Sequence, residues 1–230
     1  MLLLAFDTSS VQGSVAIVRD GVELASREWQ REKSHSELLT GTIEEVMSEG
    51  GLSLRDLDGF AVGLGPGSFT GIRVAVTSAK ALAYALGKPV FGFDDCVILA
   101  ESAPSTSESL LVLITAHRNL VYTATFGPAD AGSRERLSPT VAIEAGEAES
   151  MIAGPASWLC VGSGWSARQA DLPPALISLV RRDPLARDFP QAVAIARLAE
   201  IQKNGASTFD WNAAQPLYIR ASEPEEKRRN

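Results

Sequence analysis

Leu2-Leu3-Leu4-Ala5-Phe6-Asp7-Thr8-Ser9-Ser10 runs from an unbroken apolar stretch into a carboxylate and three hydroxyls. A half-exposed strand alternates apolar and polar residues, so this continuous run reads as a strand covered on both faces. Asp, Thr and Ser in succession then make a turn. Working outward, Ser14 to Val18 reads as a second strand, and Asp20-Gly21 is a hairpin signal that returns Val22 to Trp29 as a third. Ser34 to Glu49 reads as a helix. Ser34-His35-Ser36-Glu37 forms a capping box at its start, and Gly50-Gly51 stops it. Phe60 to Leu64 is a fourth strand. The Gly-rich segment 65–71 leads into a helix over about Ile72 to Leu86, closed by Gly87-Lys88-Pro89. Val90 to Phe93 is a fifth strand.

The order β-β-β-α-β-α-β implies a hairpin meander followed by right-handed crossovers, hence a mixed sheet with both helices on one face. This is an α/β lobe of the ribonuclease-H-like kind found in the sugar kinase, Hsp70 and actin superfamily (the ASKHA fold). Beyond Ala103 the pattern changes. Pro104-Ser105-Thr106-Ser107 reads as a linker. Leu110 to Ile114 and Leu120 to Phe126 read as a strand pair, Ser157 to Val161 as another strand, and Gln191 to Lys203 as a helix. The expected division is a lobe over 1–103, onto which a tail from about 212–230 packs back, and a smaller, less regular α/β lobe over 104–211.

Composition narrows the function. The chain has 230 residues, a net charge of -7, 45% hydrophobic residues and only 7% aromatic ones. A protein that grips nucleic acid by itself needs cationic surface to neutralise phosphates, and no basic excess exists here. Lys227-Arg228-Arg229 follows Glu223, Glu225 and Glu226 and reads as a solvated tail. Cys96 and Cys160 sit in apolar surroundings and read as buried thiols. Met1 to Phe6 is too short and lacks the basic flank of a signal segment, and no apolar run approaches the ~20 residues that span a bilayer. The expected compartment is the cytoplasm.

Four features bear on chemistry. Asp7, Thr8, Ser9 and Ser10 form a turn that can hold phosphate or a hydrated ion, or can satisfy its own backbone. Gly65-Pro66-Gly67-Ser68-Phe69-Thr70-Gly71 precedes a helix, so Gly65, Gly67, Ser68 and Thr70 can present amides and hydroxyls to an anion, or serve a tight turn. The segment lacks the Gly-Lys-Ser/Thr of a Walker loop and the glycine spacing of a dinucleotide fingerprint. Histidine occurs at His35 and His117, with no His-Glu-x-x-His, so no metal site is expected. His35 reads as a capping or surface residue. Finally, Leu38, Leu39, Thr42, Ile43, Val46 and Met47 span roughly 180° of the first helix, against the ~100° a sheet-packed helix needs. The second helix is apolar nearly all round, apart from a strip with Arg73, Thr77, Lys80 and Tyr84. Either the two helices cover each other or they offer a surface to a partner through Leu38, Leu39, Ile43, Val46, Met47, Arg73, Val76, Ala79, Lys80 and Ala83.

Together these segments resemble the TsaB family, also called YeaZ. Leu3 to Ser10 is similar to its opening strand and phosphate-loop relic. Lys33-Ser34-His35-Ser36-Glu37-Leu38-Leu39 is similar to its first helix start, and Gly65 to Arg73, followed by Ala79-Lys80-Ala81-Leu82-Ala83, to its most specific signature. Pro216-Leu217-Tyr218-Ile219-Arg220 resembles its ending. The likeness is dense over 1–93. Thr115-Ala116-His117-Arg118 departs from the family's Asp-Ala-Arg-Arg.

The resemblance implies a two-lobed actin-like ATPase fold. It also implies a non-catalytic subunit in N6-threonylcarbamoyladenosine formation on tRNA. The partners implied are a TsaD-like catalytic subunit and a TsaE-like ATPase, or a second copy when alone. ATP or ADP would bind only at the complex interface, and tRNA only through the complex. A stand-alone kinase or ATPase of the same superfamily is the alternative, and a metallopeptidase a remote one.

Overall fold

The computed structural model describes residues 1–30, 35–130, 133–152, 157–203 and 214–219. The first sheet contains β1 (Leu2–Asp7), β2 (Gln12–Arg19) and β3 (Val22–Gln30) as an antiparallel meander. Asp20 and Gly21 join β2 to β3 with φ of 50° and 78°, the left-handed pair a tight hairpin demands. Helix α1 (His35–Glu49) follows, then β4 (Gly59–Gly63), α2 (Phe69–Leu86), β5 (Val90–Phe93) and α3 (Asp95–Glu101). β4 runs parallel to β1, and β5 parallel to β4, giving the order β3-β2-β1-β4-β5.

Two expectations change here. The helix after the Gly-rich loop begins at Phe69, three residues before Ile72, because the Ser68 side chain accepts from the Gly71 amide and caps it. The sequence reading also passes over α3. Ser34 and the capping box it would complete lie outside the described residues. Gly87 ends α2 in the left-handed region at φ 64°, with its amide on the Ala83 carbonyl.

The second unit holds β6 (Ser109–Thr115), β7 (Leu120–Asp130), β8 (Ser133–Arg136), β9 (Val141–Glu144) and β10 (Trp158–Val161). Two short helices, α4 (Gly164–Ala167) and α5 (Pro174–Leu179), precede β11 (Val180–Arg182). Its sheet runs β11-β10-β6-β7-β8, with β9 also on β7. β10 is parallel to β6 and β11, and the remaining pairs are antiparallel. Leu111, Leu113, Trp158, Cys160, Trp165 and Leu176 form its core.

Helix α6 (Ala192–Lys203) corrects the expected division. Read as part of the second lobe, it packs instead on the first sheet. Ala192, Ile195, Ala196 and Ala199 meet Leu3, Ala5, Ala16 and Val18. The opposite face of that sheet, with Leu4, Phe6, Val15 and Ile17, is covered by α1 and α2. β1 is therefore buried on both sides, and its apolar run has no polar break for that reason. Accordingly, the described residues within 1–98 and 190–217 form one compact unit, and those within 99–189 together with 218–219 form the other. Ala214 lies in the first unit's core, and the Leu217 amide donates to the Leu64 carbonyl at 2.8 Å.

Candidate functional site

Thr8 and Ser9 follow directly from the buried end of β1, and Gly65 to Ser68 form the loop that leads into α2. The two segments are in direct backbone contact. Ser68 N donates to the Ser9 carbonyl at 2.6 Å, and Thr8 Oγ1 donates to the Gly71 carbonyl at 2.7 Å. Only glycine fits at Gly67, because a Cβ there would lie 2.3 Å from the Ser9 carbonyl oxygen. Ser10 closes its own turn: its hydroxyl donates to the Gln12 carbonyl at 2.6 Å. The first turn of α3 completes the cluster. Ser9 Oγ lies 2.8 Å from Asp7 Oδ1 and 2.5 Å from Asp95 Oδ2, and Gly65 N donates to Asp95 Oδ1 at 3.0 Å. Asp7, Thr8, Ser9 and Asp95 are all buried.

Burial dominates the electrostatics. It pushes the Asp7 carboxyl above the ordinary carboxylate range, against hydrogen bonds from Ser9 and Thr8 that pull it down. Burial also raises the Asp95 carboxyl well above the ordinary range, reinforced by the charges of Asp7 and Asp94. Asp7 Oδ2 has no hydrogen-bond partner. The amides of Gly65 and Ser68 are taken by Asp95 and Ser9, so both are engaged within the chain. Ser10, Gly67 and Ser68 are half-buried and Thr70 is exposed. Among the described residues, no group of three or more His, Cys, Asp or Glu gathers as a metal site would require.

The candidate partner surface is narrower than the sequence suggests. Leu39, Ile43, Val46 and Met47 of α1 and Val76, Ala79 and Ala83 of α2 belong to this chain's own core. The wide apolar arc is consumed by the sheet and by the packing of the two helices in one cluster. Leu38 and Lys80 are half-buried and Arg73 is exposed. The outer strip of α2 consists of Thr70, Arg73, Thr77, Ala81, Tyr84 and Ala85, spaced to share one face. Tyr84 is 76% exposed there, while on the outer side of α1 stand Glu37, Glu44 and Glu45, also exposed.

His35, expected as a capping or surface residue, is buried. Its Nδ1 accepts from the Trp29 indole N–H at 3.3 Å, and its Nε2 lies 2.7 Å from the Ser10 carbonyl. The carbonyl can only accept, so Nε2 carries the hydrogen. In the second unit, the backbone amide and hydroxyl of Thr115 both reach Ser163 Oγ at 3.1 Å, and Arg168 Nη2 donates to the Ala116 carbonyl at 3.0 Å. Asp95 is the site residue that sequence reasoning missed. Nothing local to it signals a partner 86 residues away in the chain.

A family model described as TsaD, tRNA N6-adenosine threonylcarbamoyltransferase, matches residues 29–157. The tRNA threonylcarbamoyladenosine biosynthesis protein TsaB of Escherichia coli (strain K12) is 29% identical, over 96% of this chain and 95% of that protein. The chain belongs to the TsaD family so described, in its TsaB/YeaZ group. TsaB of Haemophilus influenzae is 27% identical over 96% of this chain and 94% of its own length. The solved YeaZ structure from Pseudomonas aeruginosa is 26% identical, with a TM-score of 0.75 over 94% of this chain and 99% of that one. Component A of (R)-2-hydroxyglutaryl-CoA dehydratase from Acidaminococcus fermentans, at 10% identity, shares the fold alone, with a TM-score of 0.52. These likenesses place the two mixed sheets in the two-lobed actin-like ATPase fold. No helix among the described residues is long and apolar enough to cross a membrane.

Proposed function

We propose that this TsaB/YeaZ chain is a non-catalytic partner subunit needed for N6-threonylcarbamoyladenosine formation on tRNA. It acts in the cytoplasm by binding and supporting a TsaD-like catalytic subunit together with a TsaE-like ATPase, and pairs with itself when alone. The observation that carries this reading is the full-length likeness to proteins named for that pathway. The outer strip of α2 is the surface assigned to the partner, with Tyr84 as its largest exposed side chain. The net charge of -7 supports tRNA contact through the complex and not through this chain alone. Depleting the protein from its host and measuring the modified nucleoside in bulk tRNA by mass spectrometry tests the reading. Unchanged nucleoside levels would overturn it.

ATP or ADP is assigned to the junction with the catalytic subunit, where Ser10, Gly67, Ser68 and Thr70 remain accessible. The competing reading is a stand-alone kinase or ATPase, favoured by the loop between β4 and α2. The engagement of the Gly65 and Ser68 amides within the chain weighs against it. Calorimetry with ATP and magnesium separates the two. Tight binding with turnover by the isolated chain would establish the kinase or ATPase.

A further inference from the structure

Ser9 stands between two buried carboxyl groups with a single hydroxyl hydrogen to give. Its Oγ is 2.8 Å from Asp7 Oδ1 and 2.5 Å from Asp95 Oδ2, so both contacts are hydrogen-bond distances. Were both carboxyls ionised, one oxygen would face a hydroxyl lone pair with no hydrogen between them. The Ser9 amide also donates to Asp7 Oδ1, at 3.0 Å, which marks Asp7 as the acceptor. Asp95 Oδ1 already accepts from the Gly65 amide. The oxygen left to carry a hydrogen toward Ser9 is Asp95 Oδ2.

We propose that Asp95 is a protonated carboxylic acid at neutral pH, and that its proton latches the turn after β1 to the loop before α2 and to the start of α3. Asp95 donates to Ser9 Oγ, Ser9 donates to Asp7 Oδ1, and Asp7 holds the single negative charge. The latch lets go when rising pH strips that proton to solvent and sets two buried negative charges against one hydroxyl.

The surroundings fit one charge and not two. Asp7 Oδ2 is buried without a partner and faces Gly63, where a Cβ would lie 2.1 Å from it. Of the titratable groups on the packed elements, Asp7 and Asp94 act on Asp95 through their charge, Cys96 and Glu101 share α3 with it, His35 lies on α1 beside that helix's exposed glutamates, and Lys80 on α2 is half-buried. Asp94 adds negative charge that disfavours ionisation of Asp95, and its Oδ1 accepts from the Cys96 amide at 2.8 Å. His35 is held between Trp29 and the Ser10 carbonyl. The strands and the loop contribute amides and carbonyls, and Arg73 on α2 is exposed. Burial raises the Asp95 carboxyl, in the direction the hydrogen count requires, and hydrogen bonds from Ser9 and Thr8 to Asp7 favour its charged form.

The native chain holds a proton that the unfolded chain releases near the ordinary aspartate value of about 3.9. Stability from this proton is complete below that value and declines as pH rises toward the folded value. Asp95→Asn removes the titration and keeps the geometry: its carbonyl can accept from Gly65 while its amide donates to Ser9. Thermal melts of wild type and D95N from pH 5 to pH 8 read the difference. The expected result is a wild-type midpoint that falls relative to D95N by roughly 3–5 °C per pH unit. Parallel curves would overturn the proposal. Should D95N fail to fold, infrared spectra of wild type with isotope-labelled aspartate decide. A protonated-carboxyl band at pH 7 that disappears on alkaline titration supports the shared proton, and its absence at pH 7 overturns it.

Discussion

Gly71 and Thr8 are 63 residues apart and meet so closely that a Cβ on Gly71 would lie 1.9 Å from the Thr8 carbonyl oxygen. Thr8 Oγ1 in turn donates to the Gly71 carbonyl. The first turn of α2 is thus pinned to the end of β1 by contacts only glycine allows. Gly71→Ala is expected to destabilise the fold by about 2–4 kcal/mol through overpacking against backbone. Chemical denaturation with an unchanged midpoint would show that the contact is not tight.

Val46 and Ala79 both have essentially no exposed surface. A charge at either site is buried without a partner, so Val46→Asp or Ala79→Glu should cost about 3–5 kcal/mol of stability. The check is a melt on each purified variant. Normal stability together with lost association would return these residues to the partner surface.

Tyr84 separates binding from folding. Tyr84 is 76% exposed, so Tyr84→Glu should leave stability within about 0.5 kcal/mol of wild type. Its association with the TsaD-like subunit should weaken, as read by co-purification from a lysate. Unimpaired co-purification would exclude the outer strip of α2 as the docking surface.

His35 links Trp29 to the Ser10 carbonyl. His35→Ala removes a partner from the half-buried Trp29 indole N–H and from the half-buried Ser10 carbonyl, at an expected cost of about 1–3 kcal/mol. Urea unfolding measures it. His35→Gln, which can donate to one and accept from the other, should recover part of the loss.

Cys96 and Cys160 are both fully buried. Burial pushes the Cys160 thiol far above its ordinary range, so it stays protonated and unreactive. A thiol reagent applied to the native protein at pH 8 should label neither residue and should label both after denaturation. Rapid native labelling would contradict the packing of α3 or β10.

The chain by itself determined the strands of the first sheet and the two long helices that cover one face of it. Leu2 to Phe6 reads as a strand covered twice, Asp20-Gly21 as a hairpin, and Gly87 as a helix stop, because hydrophobic pattern and left-handed backbone are local properties. The family signatures were likewise contiguous. What tertiary structure alone decided was partnership across distance. Leu39, Ile43, Val46 and Met47 are legible as apolar. Whether an apolar arc faces a sheet, a neighbouring helix or another protein depends on where those bodies lie. Helix α6 shows no local sign that it returns to the first sheet. Asp95 became part of the site only when folding carried it to Ser9, where burial and a second carboxyl changed its chemistry. Period and turn chemistry act over a few residues, while desolvation and proton sharing depend on what surrounds a group in space.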